Sequence, residues 1–165
     1  MATTALKGTP IQTNGELPAV GNDAPDFVLV ATDMSEKNLA SFAGKKKILS
    51  INPSYDTPVC QAATRTFNER AAGLDDVVVL MVSADLPFAQ KRFCAAEGIE
   101  GVVPVSTFRG SFLQDYGVEL VDGPLKGVSA RAIVVVDEND KVVYTELVPE
   151  IAQEPDYDAA LAAAR

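Results

Sequence analysis

The 165-residue chain carries 14 basic against 23 acidic residues, a net charge of −9, no histidine and two cysteines. That balance lacks the basic footprint needed to hold nucleic-acid phosphates or anionic lipid headgroups, and without histidine neither a Ser/His/Asp nor a Cys/His pair can activate a nucleophile. Two cysteines are too few for a disulfide framework or a zinc site, so the composition predicts a reducing, cytoplasmic setting with no metal and no cofactor.

The length predicts one domain over residues 1–165, and "MATTALKGTPIQTNG" has no apolar stretch that would serve as a signal or a membrane anchor. Residues 1–20 read as an extension in which Asn14-Gly15, between "PIQT" and "ELPAV", marks a hairpin turn. Strands are expected at "DFVLV" (26–30) and "KILSI" (47–51), with Lys45 to Lys47 taken as a solvated turn. A helix follows over 58–73, where Val59, Ala63, Phe67, Ala71 and Leu74 form an apolar stripe.

"VVVLMVS" (77–83) is the next strand, and a second helix over about 86–97 presents Leu86, Ala89, Phe93 and Ala96 before stopping at Gly98. "AIVVVD" (132–137) and "VVYTELV" (142–148) form a strand pair around "DENDK", and the Ala-rich "DYDAALAAAR" closes the chain as a helix. Continuous apolar strands alternating with helices predict an α/β fold, a central mixed sheet flanked by helices.

The chemistry concentrates at "INPSYDTPVC" (51–60). Pro53 must end the preceding strand, since proline cannot donate to a sheet ladder. Thr57 suits a helix N-cap and Pro58 the first helical position, which puts Cys60 in the first turn. Unpaired N–H groups and the positive end of the helix dipole favour a thiolate there, and the Thr57 hydroxyl can turn toward the sulfur or a bound oxygen. Free cysteine is most often a small buried hydrophobe; this strand, proline turn and helix start set Cys60 apart. Cys94 falls late in its helix, where the negative dipole end disfavours a thiolate. Cys60 is therefore the attacking nucleophile and Cys94 the thiol that captures its oxidised form.

The pattern P-x-x-x-T-x-x-C, carried by Pro53, Thr57 and Cys60, resembles the active-site motif of the peroxiredoxins. With "RTFNERAA", "SADLPFAQKRFCAAEGIE", "DYGVEL", "DGPLKG", "ARAIVVVDEND", "VVYTELVPEI" and "EPDYDAALA", most of the chain is similar to the bacterial thiol peroxidases within that family. The resemblance implies a thioredoxin-like fold and reduction of hydroperoxides to alcohol or water by an atypical two-cysteine cycle. Cys60 becomes a sulfenic acid, Cys94 of the same subunit forms a disulfide with it, and thioredoxin restores both thiols. It further implies a homodimer, a preference for organic hydroperoxides, and an arginine near the thiolate, matched by Arg131, with Arg109 a weaker second cation. Asn52 and Tyr55 depart from the usual pattern in that turn, and Tyr55 reads equally as a surface aromatic.

The cysteines stand 34 positions apart, from 60 to 94, so an unstrained bridge would stabilise the oxidised form by about 4 kcal/mol. Two helical cysteines cannot meet without movement, and the helix of Cys94 is expected to unwind in part. A thiol–disulfide oxidoreductase is disfavoured because "CQAATRT" offers no C-x-x-C. A peroxide-sensing relay, signalling to a partner through the same disulfide, is the alternative reading.

Overall fold

The computed structural model describes residues 1–71 and 74–165. Seven strands form one mixed sheet: β3 (Leu29–Ala31), β4 (Glu36–Lys37), β5 (Lys46–Ile51), β6 (Val77–Ser83), β7 (Val103–Ser106), β8 (Ala132–Val136) and β9 (Val142–Leu147). Their order is β4-β3-β7-β6-β5-β8-β9. β5, β6 and β7 run parallel, and β8, β9, β3 and β4 pair antiparallel to their neighbours.

Strict alternation along the central strands builds two cores. Leu49, Ile51, Leu80, Val82, Ala132 and Val134 face one way, against Phe27, Phe112 and Tyr116. Ile48, Val79, Met81, Ile133 and Val135 face the other, under α1 (Pro58–Ala71), α2 (Pro87–Glu97) and α4 (Tyr157–Ala163). The short helix α3 (Phe112–Asp115) supplies Phe112 and Leu113 to the first core. This is the mixed α/β architecture that the sequence predicts, and the thioredoxin-like fold that the resemblance implies.

Several elements differ from expectation. The hairpin is real but turns earlier: β1 (Thr3–Leu6) pairs with β2 (Thr9–Gln12) across Lys7-Gly8, both at positive φ (50° and 81°). A two-residue loop with φ > 0 at both positions matches the twist of the strands. Asn14 instead docks this segment, its backbone and side chain exchanging bonds with Glu119 and its amide reaching the Gln114 carbonyl. The strand expected at 26–30 covers only Leu29–Ala31, because the Asp26 carboxylate ties the N–H groups of Phe27 and Leu39 into a local turn.

β7 lies outside the strands expected from the sequence and contains Pro104; β3 pairs only with Val105 and Ser106, so the proline faces no lost ladder bond there. Lys47 is no solvated turn residue: it is fully buried on a central strand, its ammonium 2.6 Å from Asp140. The buried face of α2 is Pro87, Gln90 and Cys94, whereas Leu86 and Ala96 lie exposed. Gly98 ends that helix in the left-handed region as expected, and α1 is described to Ala71, its expected last two residues falling outside the described residues.

Candidate active site

β5 ends at Ile51, and the chain turns through Asn52 and the buried Pro53 into α1. Thr57 caps with its backbone, its carbonyl accepting from the Gln61 N–H at 3.1 Å. Among the described residues its hydroxyl accepts from no helix N–H. It donates to the Ser54 carbonyl (2.9 Å), which leaves the oxygen's lone pairs free to accept. Cys60 then stands in the first turn of α1, fully buried.

Arg131, just before β8, is 2% exposed. Its Nη1 lies 3.2 Å from the Cys60 sulfur and 3.0 Å from Asn52 Oδ1, and its Nε donates to the Ile151 carbonyl at 2.7 Å. Among the described residues no carboxylate pairs with it. A buried cation requires an anionic partner, and the sulfur is the group beside it that can become one. Asn52 is itself held, donating to the Ser50 carbonyl (2.9 Å) while its own carbonyl accepts from the Ser129 hydroxyl (2.8 Å). The unusual asparagine therefore aims the guanidinium.

A cavity of about 410 Å³ opens over this group, lined by Pro53, Thr57, Val59, Arg131 and Ile151, with Leu6 and Lys7 from the hairpin tip. Its surface is almost wholly apolar. Arg131 both lines the cavity and touches the sulfur, so Pro53, Thr57, Arg131 and Cys60 form one constellation.

Residues 19–161 match the Redoxin family model. The thiol peroxidases of Mycobacterium tuberculosis and Mycobacterium bovis are 58% identical over 163 residues, covering 99% of this chain and 98% of those proteins. The chain belongs to the peroxiredoxin family, as a thiol peroxidase of the bacterial type. A peroxiredoxin-like protein from Aquifex aeolicus superposes with a TM-score of 0.93 at 43% identity, over 99% of this chain and 96% of that one. A thiol peroxidase from Chromobacterium violaceum, 23% identical, shares the fold at a TM-score of 0.87, over 98% of this chain and 95% of that one.

In this thiol peroxidase the second thiol sits apart. Cys94 is buried among Tyr55, Met81, Ile99 and Val102, and burial pushes its thiol up to about 11. Desolvation by burial keeps it protonated. Both cysteines are free, each within its own helix. Tyr55 is no surface aromatic: it is 1% exposed, its hydroxyl donates to the Met81 carbonyl (2.8 Å), and its ring meets Phe93 edge-on at 5.6 Å. Arg109 lies outside the site, paired with Glu36 at 2.8 Å and stacked over Phe108. The hairpin tip's place in the cavity wall had no signal in the sequence, because it depends on Glu150 accepting the Lys7 and Gly8 N–H groups across the fold.

Proposed function

We propose that Cys60 is the peroxide-reactive nucleophile of this thiol-dependent peroxidase and Cys94 its resolving partner. The observation that carries the reading is the 3.2 Å contact between the buried Arg131 guanidinium and the Cys60 sulfur. The thiolate attacks the outer oxygen of ROOH; the S–O bond forms as the O–O bond breaks, and the departing RO⁻ takes a proton to leave as ROH. Sulfur is oxidised by two electrons and the peroxide reduced by two.

Each neighbour has a part in that step. Arg131 holds charge as it passes from sulfur to the departing oxygen. Thr57, its hydroxyl proton committed to Ser54, accepts the peroxide O–H and so orients it. Pro53 walls the cavity against water. The Cys94 thiol then attacks the sulfenic sulfur, closing the disulfide and releasing water. Because both thiols are buried in helices, a helix must yield first, and strain of that kind keeps the bond easy to reduce. A thioredoxin dithiol supplies the two electrons and two protons that restore both thiols.

The apolar cavity favours organic hydroperoxides over hydrogen peroxide. A homodimer belongs to the same proposal: Leu86, Phe88 and Phe108 lie exposed near the Thr107-to-Ser83 backbone bond, and a second subunit would cover them. Sedimentation showing a monomer at micromolar concentration would remove that part. The chain would act in the cytoplasm; among the described residues no helix is long and apolar enough to cross a membrane.

Thiol counting before and after one equivalent of cumene hydroperoxide tests the cycle. Wild type should lose both thiols, Cys94→Ser should hold a single oxidised sulfur, and Cys60→Ser should be inert. A Cys60→Ser variant reacting as fast as wild type overturns the assignment.

A further inference from the structure

For Cys60 and Cys94 to bridge, the turn before α1 and the helix α2 must both give way, and one carboxylate is bonded into both. Asp85 lies between β6 and α2. On the α1 side, its Oδ1 accepts from the Ser54 hydroxyl and its Oδ2 from the Tyr55 N–H, each at 2.7 Å. Ser54 in turn carries the carbonyl that fixes the Thr57 hydroxyl. On the α2 side, Asp85 Oδ2 also accepts from the Ser83 hydroxyl (2.7 Å), and Ser83 Oγ accepts from Gln90 Nε2 (3.0 Å). Gln90 sits one turn before Cys94 on the buried face of α2.

On the premise of the two-thiol cycle above, we propose that Asp85 is a positioning residue that ties the peroxide-reactive turn to the resolving helix and sets the balance between them. With its three bonds made, Pro53, Ser54 and Thr57 shape the cavity and Cys94 is withheld. With them lost, the turn and α2 loosen together.

The α2 anchor is built to release. Gln90 is fully buried and donates to Ser83 and to the Val105 carbonyl, yet among the described residues its Oε1 has no hydrogen-bond partner. A buried unpaired amide oxygen costs free energy in the closed state and regains water on opening. The aromatic contact of Tyr55 with Phe93 runs beside the polar link, so the same two segments are joined twice. Neither Ser83 nor Gln90 reaches the cavity, and both act through Asp85.

The step governed is Cys60–SOH + Cys94–SH → Cys60–S–S–Cys94 + H₂O, in competition with Cys60–SOH + ROOH → Cys60–SO₂H + ROH. Single-turnover oxidation with cumene hydroperoxide, sulfenic acid trapped by dimedone and disulfide read by thiol counting, separates formation of the sulfenic acid from its resolution. Asp85→Ala should slow sulfenic-acid formation about tenfold and speed disulfide closure by about as much, as expected for loss of charge-assisted bonds. Asp85→Asn should restore both rates, because its amide oxygen can accept from Tyr55 and Ser83 while its NH₂ donates to Ser54. Rates that fall together, or an alanine variant indistinguishable from wild type, overturn the proposal.

Should Asp85→Ala fail to fold, Ser54→Ala and Gln90→Met decide it, singly and combined. Non-additive effects on disulfide closure support the link, and additive ones overturn it. A wild-type protein that forms neither sulfenic acid nor disulfide is a different result, and sinks the two-thiol cycle itself.

Discussion

Replacing Arg131 by methionine isolates the charge, since a linear side chain of similar length keeps much of the packing. At 3.2 Å and an effective dielectric constant near 20, a full guanidinium–thiolate interaction is worth about 5 kcal/mol. Only the part that grows as charge moves to the departing oxygen accelerates the reaction. Loss of one such donor elsewhere costs about 10²–10³ in rate, and a fall of that size in the second-order rate of Cys60 oxidation is the expected result.

Stability should respond differently. The variant orphans Asn52 Oδ1 and the Ile151 carbonyl, at about 1–3 kcal/mol each. It also removes a buried cation, which offsets a comparable amount. Urea unfolding should therefore shift by no more than about 2 kcal/mol. Arg131→Lys should not rescue the rate, because one ammonium cannot meet the sulfur, Asn52 and Ile151 in the planar arrangement that a guanidinium provides. Stopped-flow oxidation under single-turnover conditions, run beside urea melts, reads both quantities. A methionine variant within about threefold of wild type would refute the role of the charge.

Cys94 makes stability depend on alkaline pH: its folded thiol titrates at about 11 against an ordinary 9.0. The folded state holds that proton more tightly than the unfolded chain, so the contribution is whole below about 9 and is lost as pH rises toward 11. Reduced wild type should lose urea resistance between about pH 9 and 11 faster than Cys94→Ala, and parallel profiles would contradict the burial. The hairpin tip rests on Glu150, whose carboxylate is held below its usual range by the Gly8 and Lys7 N–H groups. The group is depressed in the fold, so this latch is formed at neutral pH and lost only as pH falls through the acid range. Glu150→Ala should raise KM for cumene hydroperoxide more than for hydrogen peroxide, with kcat little changed; equal effects on the two substrates would show that the tip takes no part in the cavity.

The helix-start setting of Cys60 was legible because it is local. Pro53 stops a strand and Pro58 starts a helix through constraints that act within a few residues, on φ and on a missing N–H. The central strands were legible for a similar reason, as apolar runs between turns. The misreadings of Lys47 and Tyr55 involve partners that are distant in the chain. Three consecutive lysines look like a solvated turn until Asp140 arrives to pair with Lys47, and Tyr55 looks like a surface ring until Met81 and Phe93 enclose it. Asn52 looked like a departure from pattern and is the residue that aims Arg131.

By itself, then, the amino-acid order determined where β5 ends, where α1 begins and which thiol stands at its start. The tertiary structure alone decided that Arg131 is buried against that sulfur, that the hairpin tip walls the cavity, and that Asp85 joins the two cysteine-bearing segments. Backbone punctuation costs or gains free energy within a turn or two of the residue concerned. A buried charge or a polar hub is stable only when groups tens of residues away satisfy it, and which groups do so is settled when the sheet closes.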